Sequence, residues 1–100
     1  MEQSSKLYVL VSNKYPLAYQ GVQGGHAVAE WLLNNRQQTE WDNDTLVYLA
    51  CKDIGHWWHK LQHYGINPVT WHEPDQKNEL TAMAVLGHGE LFKNLSLMGK

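Results

Sequence analysis

A chain of 100 residues with eight Lys or Arg against ten Asp or Glu carries a net charge of −2. It is long enough for one modest core, a single domain over residues 1–100, and has no overall basic charge to attract a polyanion. The single cysteine, Cys51, excludes an intrachain disulfide and fits a reducing compartment. No apolar run approaches the ~20 residues of a membrane span. The start, Met1-Glu2-Gln3-Ser4-Ser5-Lys6, lacks the basic opening and apolar core of a signal peptide. A soluble cytoplasmic protein with no membrane partner is therefore expected. Five tryptophans are a high load, and some are expected at the surface.

Lys6 to Val11 reads as a short buried strand bounded by Ser-Ser and Ser12-Asn13. Ser12 to Gln20 reads as a loop around Pro16, and Gly21 to Asn35 as a helix. Thr45 to Cys51 is a second strand. Asp53 is placed to cap a helix over Ile54–Tyr64 that Gly65 ends. Val69 to His72 is a third strand, and Glu73 to Glu79 a polar loop around Pro74. Leu80 to Leu86 is a fourth strand, and Glu90 to Met98 a short terminal helix. The order β-α-β-α-β-β-α predicts an α/β fold: one three-layer domain with a four-stranded mixed sheet and helices on both faces. Strands separated by helices favour parallel pairing, and the last two strands are close enough for an antiparallel hairpin.

The densest chemistry lies in Gly21-Val22-Gln23-Gly24-Gly25-His26-Ala27, at the expected passage from strand to helix. Free N–H groups at a helix start suit anions and developing negative charge. Gln23 and His26, three apart, share a side of a helix. Gly24 and Gly25 lack side chains, so a ligand or another backbone can come close. Each also costs an exposed helix roughly 1 kcal/mol against alanine, which tight packing or a site must offset.

His56, His59 and His63 fall near one helix side, but no carboxylate or cysteine completes a metal set, so a solvated face beside Lys60 is expected and no metal or other cofactor is assigned. Trp57 and Trp58, adjacent on a helix, are expected to point different ways. Cys51, with no activating neighbour in sequence, reads as an apolar filler.

The pattern Gln-x-x-His-Ala at Gln23, His26 and Ala27, after a Tyr-Val-Leu-Val first strand, resembles the second, archaeal and eukaryotic, family of peptidyl-tRNA hydrolases. Thr81-Ala82-Met83-Ala84-Val85 looks like that family's last strand, and Asp75 falls where its loop aspartate is expected. The resemblance implies a catalytic cluster of Gln23, Asp75 and Thr81, with His26 beside it. Where the family has a lysine four residues before the glutamine, this chain has Tyr19. The loop Glu73-Pro74-Asp75-Gln76-Lys77-Asn78-Glu79-Leu80 lacks the family's Asp-Ala-Gly-Arg-Thr pattern. Tyr19, Gly24, Lys14 and Lys77 are then the substrate-binding candidates, with Lys14 or Lys77 standing in for the missing cation.

The implied substrate is the ester between a peptide and tRNA. Its hydrolysis needs an activated water and donors for an oxyanion. Asp75 or His26 is the expected base, Gln23 the residue holding carbonyl or water, and turnover is expected to be slow without the lysine. The alternative is a binding module of the same fold that recognises tRNA, a nucleotide or a protein partner. A homodimer is also expected from the resemblance and the tryptophan load.

Overall fold

The computed structural model describes residues 5–100. Residues 1–4, part of the start expected to carry no signal peptide, lie outside the described residues. The elements are β1 (Leu7–Ser12), α1 (Leu17–Asn34), β2 (Leu46–Cys51), α2 (Ile54–His63), β3 (Val69–Glu73), β4 (Glu79–Leu86) and β5 (Ser96–Leu97), with one-turn 3₁₀ segments at Pro74–Gln76 and Gly89–Phe92. The sheet order is β3-β4-β1-β2-β5. β1 runs parallel to β2, and the pairs β1–β4, β3–β4 and β2–β5 are antiparallel.

β1 is central and covered on both faces, which is why it reads as an unbroken apolar run. Leu7, Val9 and Val11 pack on the α1 side with Ala27, Trp31, Trp41, Ala82 and Ala84. Leu10 packs on the α2 side with Leu49, Ile54, Leu61, Met83, Val85 and Phe92. Asp53 caps α2 by accepting from the His56 N–H at 3.0 Å. At the other end Gly65, at φ +75°, lets Gly65 and Ile66 donate back to Gln62 and Leu61. Among the described residues, no helix is long and apolar enough to cross a membrane.

Four expectations are corrected. The sheet has five strands, not four. The expected terminal helix is instead a single 3₁₀ turn followed by β5, because Ser96 and Leu97 pair with Ala50 and Leu49 on the open edge of β2. Helix α1 begins at Leu17, not Gly21. Pro16, at φ −59° and ψ 156°, fixes the turn before it, and Gln20 N–H already donates to the Pro16 carbonyl. None of the five tryptophans is exposed. Trp31 and Trp41 meet edge to face at 5.9 Å inside the core, and Trp57 and Trp58 both lean on the α2-side cluster.

Candidate functional site

The start of α1 at Leu17 places Gly21–Ala27 inside the helix, so its free N–H groups are not at Gln23. Chemistry at Gln23 comes from side chains that the sheet supplies. Gln23 is 1% exposed and faces β3 and β4. Its amide nitrogen donates to Glu73 Oε1 at 2.9 Å. Its amide oxygen accepts from Trp71 Nε1 at 3.1 Å and from Thr81 Oγ1 at 2.5 Å.

Strict alternation along β4 would send Thr81 to the α2 side with Met83 and Val85. A β-bulge prevents that. Trp71 pairs with Ala82 while the next residue, His72, pairs with Leu80, so Thr81 is the extra residue. The bulge turns its hydroxyl toward α1, as bulges beside sites commonly re-aim a side chain.

Glu73 ends β3 on the same side as Trp71 and is almost buried. One oxygen is held by Gln23, the other by the Asp75 backbone N–H at 3.1 Å. These bonds, the Gln23 one first, hold the carboxyl below its ordinary range, with smaller help from the Trp71 indole and the charge of His26. One turn along α1, the exposed His26 ring lies flat on Trp71, centroids 4.3 Å apart and planes 13° off parallel. The result is a closed polar network, Thr81–Gln23–Glu73 with Trp71, under an outward-facing imidazole.

Of the residues singled out from sequence, Gln23, Thr81 and His26 converge here. Asp75 reaches the network through its backbone, and its side chain is exposed. Tyr19 sits over the same loop, its hydroxyl accepting from Gln76 Nε2 at 3.3 Å and its ring against Tyr15. Gly24 is buried, and a Cβ there would land on the Tyr48 ring, so the neighbour it admits is a β2 side chain rather than a ligand. Lys14 donates to both Glu79 carboxylate oxygens, with Nζ–O distances of 3.0 and 3.2 Å, and the Tyr15 hydroxyl donates to Glu79 Oε1 at 2.9 Å. The bond to Glu79 raises the Lys14 pKa. For Glu79, burial pushes upward, but hydrogen bonds from Lys14 and Tyr15 more than reverse it. Lys77 is exposed in the left-handed region at φ 57°. Neither lysine bonds to Gln23.

Glu73 and Trp71 are the members missed from sequence. The available signal was the period of two along β3, which puts Trp71 and Glu73 on one side. Elsewhere, Cys51 is buried and burial pushes its thiol up to about 12, as suits an apolar filler. His56, His59 and His63 lie on the outer side of α2, and among the described residues no group of three His, Cys, Asp or Glu is placed to hold a metal ion.

No family model matches the chain, and no curated protein matches it. Among solved structures it is similar to a protein of unknown function from Agrobacterium tumefaciens strain C58, with a TM-score of 0.69 and 9% identity over 96% of this chain and 98% of that one. The two therefore share a small α/β fold with a mixed sheet, and at that identity the likeness reaches no further.

Proposed function

We propose that this chain is a peptidyl-tRNA hydrolase-like esterase whose site is the network at the middle of α1. The observation that carries the reading is the bulge-directed bond from Thr81 to Gln23, which joins the two motif-bearing segments beside an ionised carboxylate and a histidine. In this reading His26 is the general base that takes a proton from the attacking water. Glu73, ionised and fixed by two hydrogen bonds, stabilises the imidazolium that forms, as a buried carboxylate does for a catalytic histidine. Gln23 is a positioning residue, since its amide already holds Thr81, Trp71 and Glu73. Tyr19 supplies one neutral donor to the oxyanion.

A second reading, binding of tRNA or another partner without turnover, is favoured by one observation: among the described residues no lysine or arginine bonds to Gln23, Tyr19 standing where the resemblance expects a cation. Hydrolysis of purified peptidyl-tRNA separates the two. Under the first reading, His26→Ala lowers turnover by about 100-fold or more with only a small fall in melting temperature, because the exposed ring contributes little beyond its stacking on Trp71. Wild-type turnover at the background rate ends the hydrolase reading. Retained tRNA binding that weakens with added salt then supports the second.

A further inference from the structure

Strand β3 ends the sheet on one side, and among the described residues no strand pairs with its outer edge. An edge strand turns alternate N–H and C=O groups away from its one partner, and proteins usually guard such an edge with charged side chains, proline or bulges. β3 has no lysine or arginine. Pro68 stands before it and the Trp71/His72 bulge toward its far end, so Val69–Trp71 lie unguarded between them. Beside the start of β3 is a groove lined by Asn34 and Asn35 at the end of α1 and by Asn67, Pro68, Val69 and Thr70. Each asparagine commits one half of its amide to the fold. Asn34 Nδ2 donates to the Glu30 carbonyl and Asn35 Nδ2 to the Trp31 carbonyl, both at 2.8 Å, and Asn67 Oδ1 accepts from Gln62 Nε2 at 3.1 Å. The other halves, two acceptors and one donor, have no partner among the described residues. At its far end β3 brings Trp71, under the His26 ring, and Glu73 to the proposed site. The open edge therefore runs from a polar groove to the reacting centre, about 13 Å away at roughly 3.3 Å per residue.

We propose that this edge is the subsite for the peptide part of the substrate: the peptide lies beside β3 as an added parallel strand, its amino end toward the asparagine groove and its ester carbonyl at His26. The inference rests on the hydrolase reading, which supplies a substrate with a peptide on one side of the scissile ester. The direction follows from that chemistry. The ester is at the carboxyl end of the peptide and the site is at the carboxyl end of β3, so the two chains run the same way. Strand addition draws its affinity from main-chain hydrogen bonds. Every peptide carries those groups whatever its side chains, so the edge holds a peptide without choosing its sequence. The free amide halves of the three asparagines offer the acceptors and the donor that a peptide backbone needs. Along β3 there is room for about four peptide residues, and a longer peptide passes over the groove into solvent.

The full chain, labelled with nitrogen-15, is titrated with acetyl-tetraalanine amide. NMR shifts are expected at the backbone amides of Val69–Glu73 and the side-chain amides of Asn34, Asn35 and Asn67, with a dissociation constant on the order of 1 mM. Two N-methylated forms of the peptide separate main-chain pairing from side-chain contact. Methyls on the first and third residues remove one alternate set of N–H groups, and methyls on the second and fourth remove the other. One form should bind at least about tenfold more weakly and the other within about twofold of the parent. Asn67→Asp keeps the acceptor for Gln62 and loses the free donor, and should weaken binding about threefold or more. With peptidyl-tRNA, KM should fall as the peptide grows from one residue to about four and then level, with kcat little changed. Peptide binding at β3 in one register, without turnover of peptidyl-tRNA, supports the edge as a peptide site and ends the hydrolase reading. Shifts confined to other elements, none at all with peptide at about 10 mM, equal binding by the two methylated forms, or a KM indifferent to peptide length overturns the proposal.

Discussion

The two helices cover opposite faces of one sheet and solve that task in opposite ways. Helix α2 has a side-chain cap at Asp53 and buried Ile54 and Leu61, and it turns His56, His59 and His63 outward. Helix α1 has no side-chain cap, no acidic residue in its first turn, and two glutamines among its five buried residues. The polar inner side of α1 is tolerated because the Gln23 amide is held by Glu73, Trp71 and Thr81 of β3 and β4 and Gln20 donates to the Tyr15 carbonyl, although the buried Gln20 amide oxygen has no partner among the described residues. A helix therefore need not be amphipathic in the usual sense if the sheet beneath it carries a matching polar set.

The largest expected effect comes from breaking that match. Gln23→Leu leaves Glu73, Trp71 and Thr81 without their shared partner and should cost about 2–4 kcal/mol by chemical denaturation, since each orphaned group carries its own desolvation penalty. The corresponding change in α2, Asp53→Ala, removes only a cap and should cost about 1 kcal/mol. If the two losses prove equal, the buried network holds α1 no more firmly than a surface cap holds α2.

The adjacent glycines sharpen the contrast between the two sides of α1. Gly24→Ala drives a methyl into Tyr48 and should destabilise by about 1–3 kcal/mol. Gly25→Ala meets open space and should stabilise the monomer by up to about 1 kcal/mol. Thermal melts at low protein concentration decide both signs.

The smallest effect is in acid. Because the folded-state pKa of Glu73 lies below its ordinary value, the group contributes stability that is present above the unfolded carboxylate value of about 4.3. That contribution is lost as pH falls through the lower, folded value. Glu73→Gln should therefore flatten the stability-against-pH curve below about pH 4 and leave its slope near neutrality unchanged.

Much of the frame was legible along the chain. The apolar runs at Leu7–Val11 and Leu46–Cys51, the Asp53 cap and the Gly65 stop each follow from local chemistry: burial on two faces, a side chain that replaces a missing backbone partner, and a residue free to adopt positive φ. Helix α1 starts at Leu17 rather than Gly21 because Pro16, which punctuates Ser12–Gln20 like a loop residue, has the fixed φ that sets the first helical turn. β5 is not legible along the chain because two residues carry no period, and only the open edge of β2 gives them partners.

The site divides along the same line. Residue order alone placed Gln23 and His26 on one helix and Thr81 in the last long strand, since those statements need only a repeat length. That Thr81 faces Gln23, that Glu73 rather than Asp75 offers the adjoining carboxylate, and that Lys14 is spent on Glu79 depended on the β3–β4 bulge and the docking of α1 across it. These are contacts between residues about 50 to 65 positions apart, and no local pattern encodes them, because a one-residue bulge reverses which side of the sheet a strand residue meets.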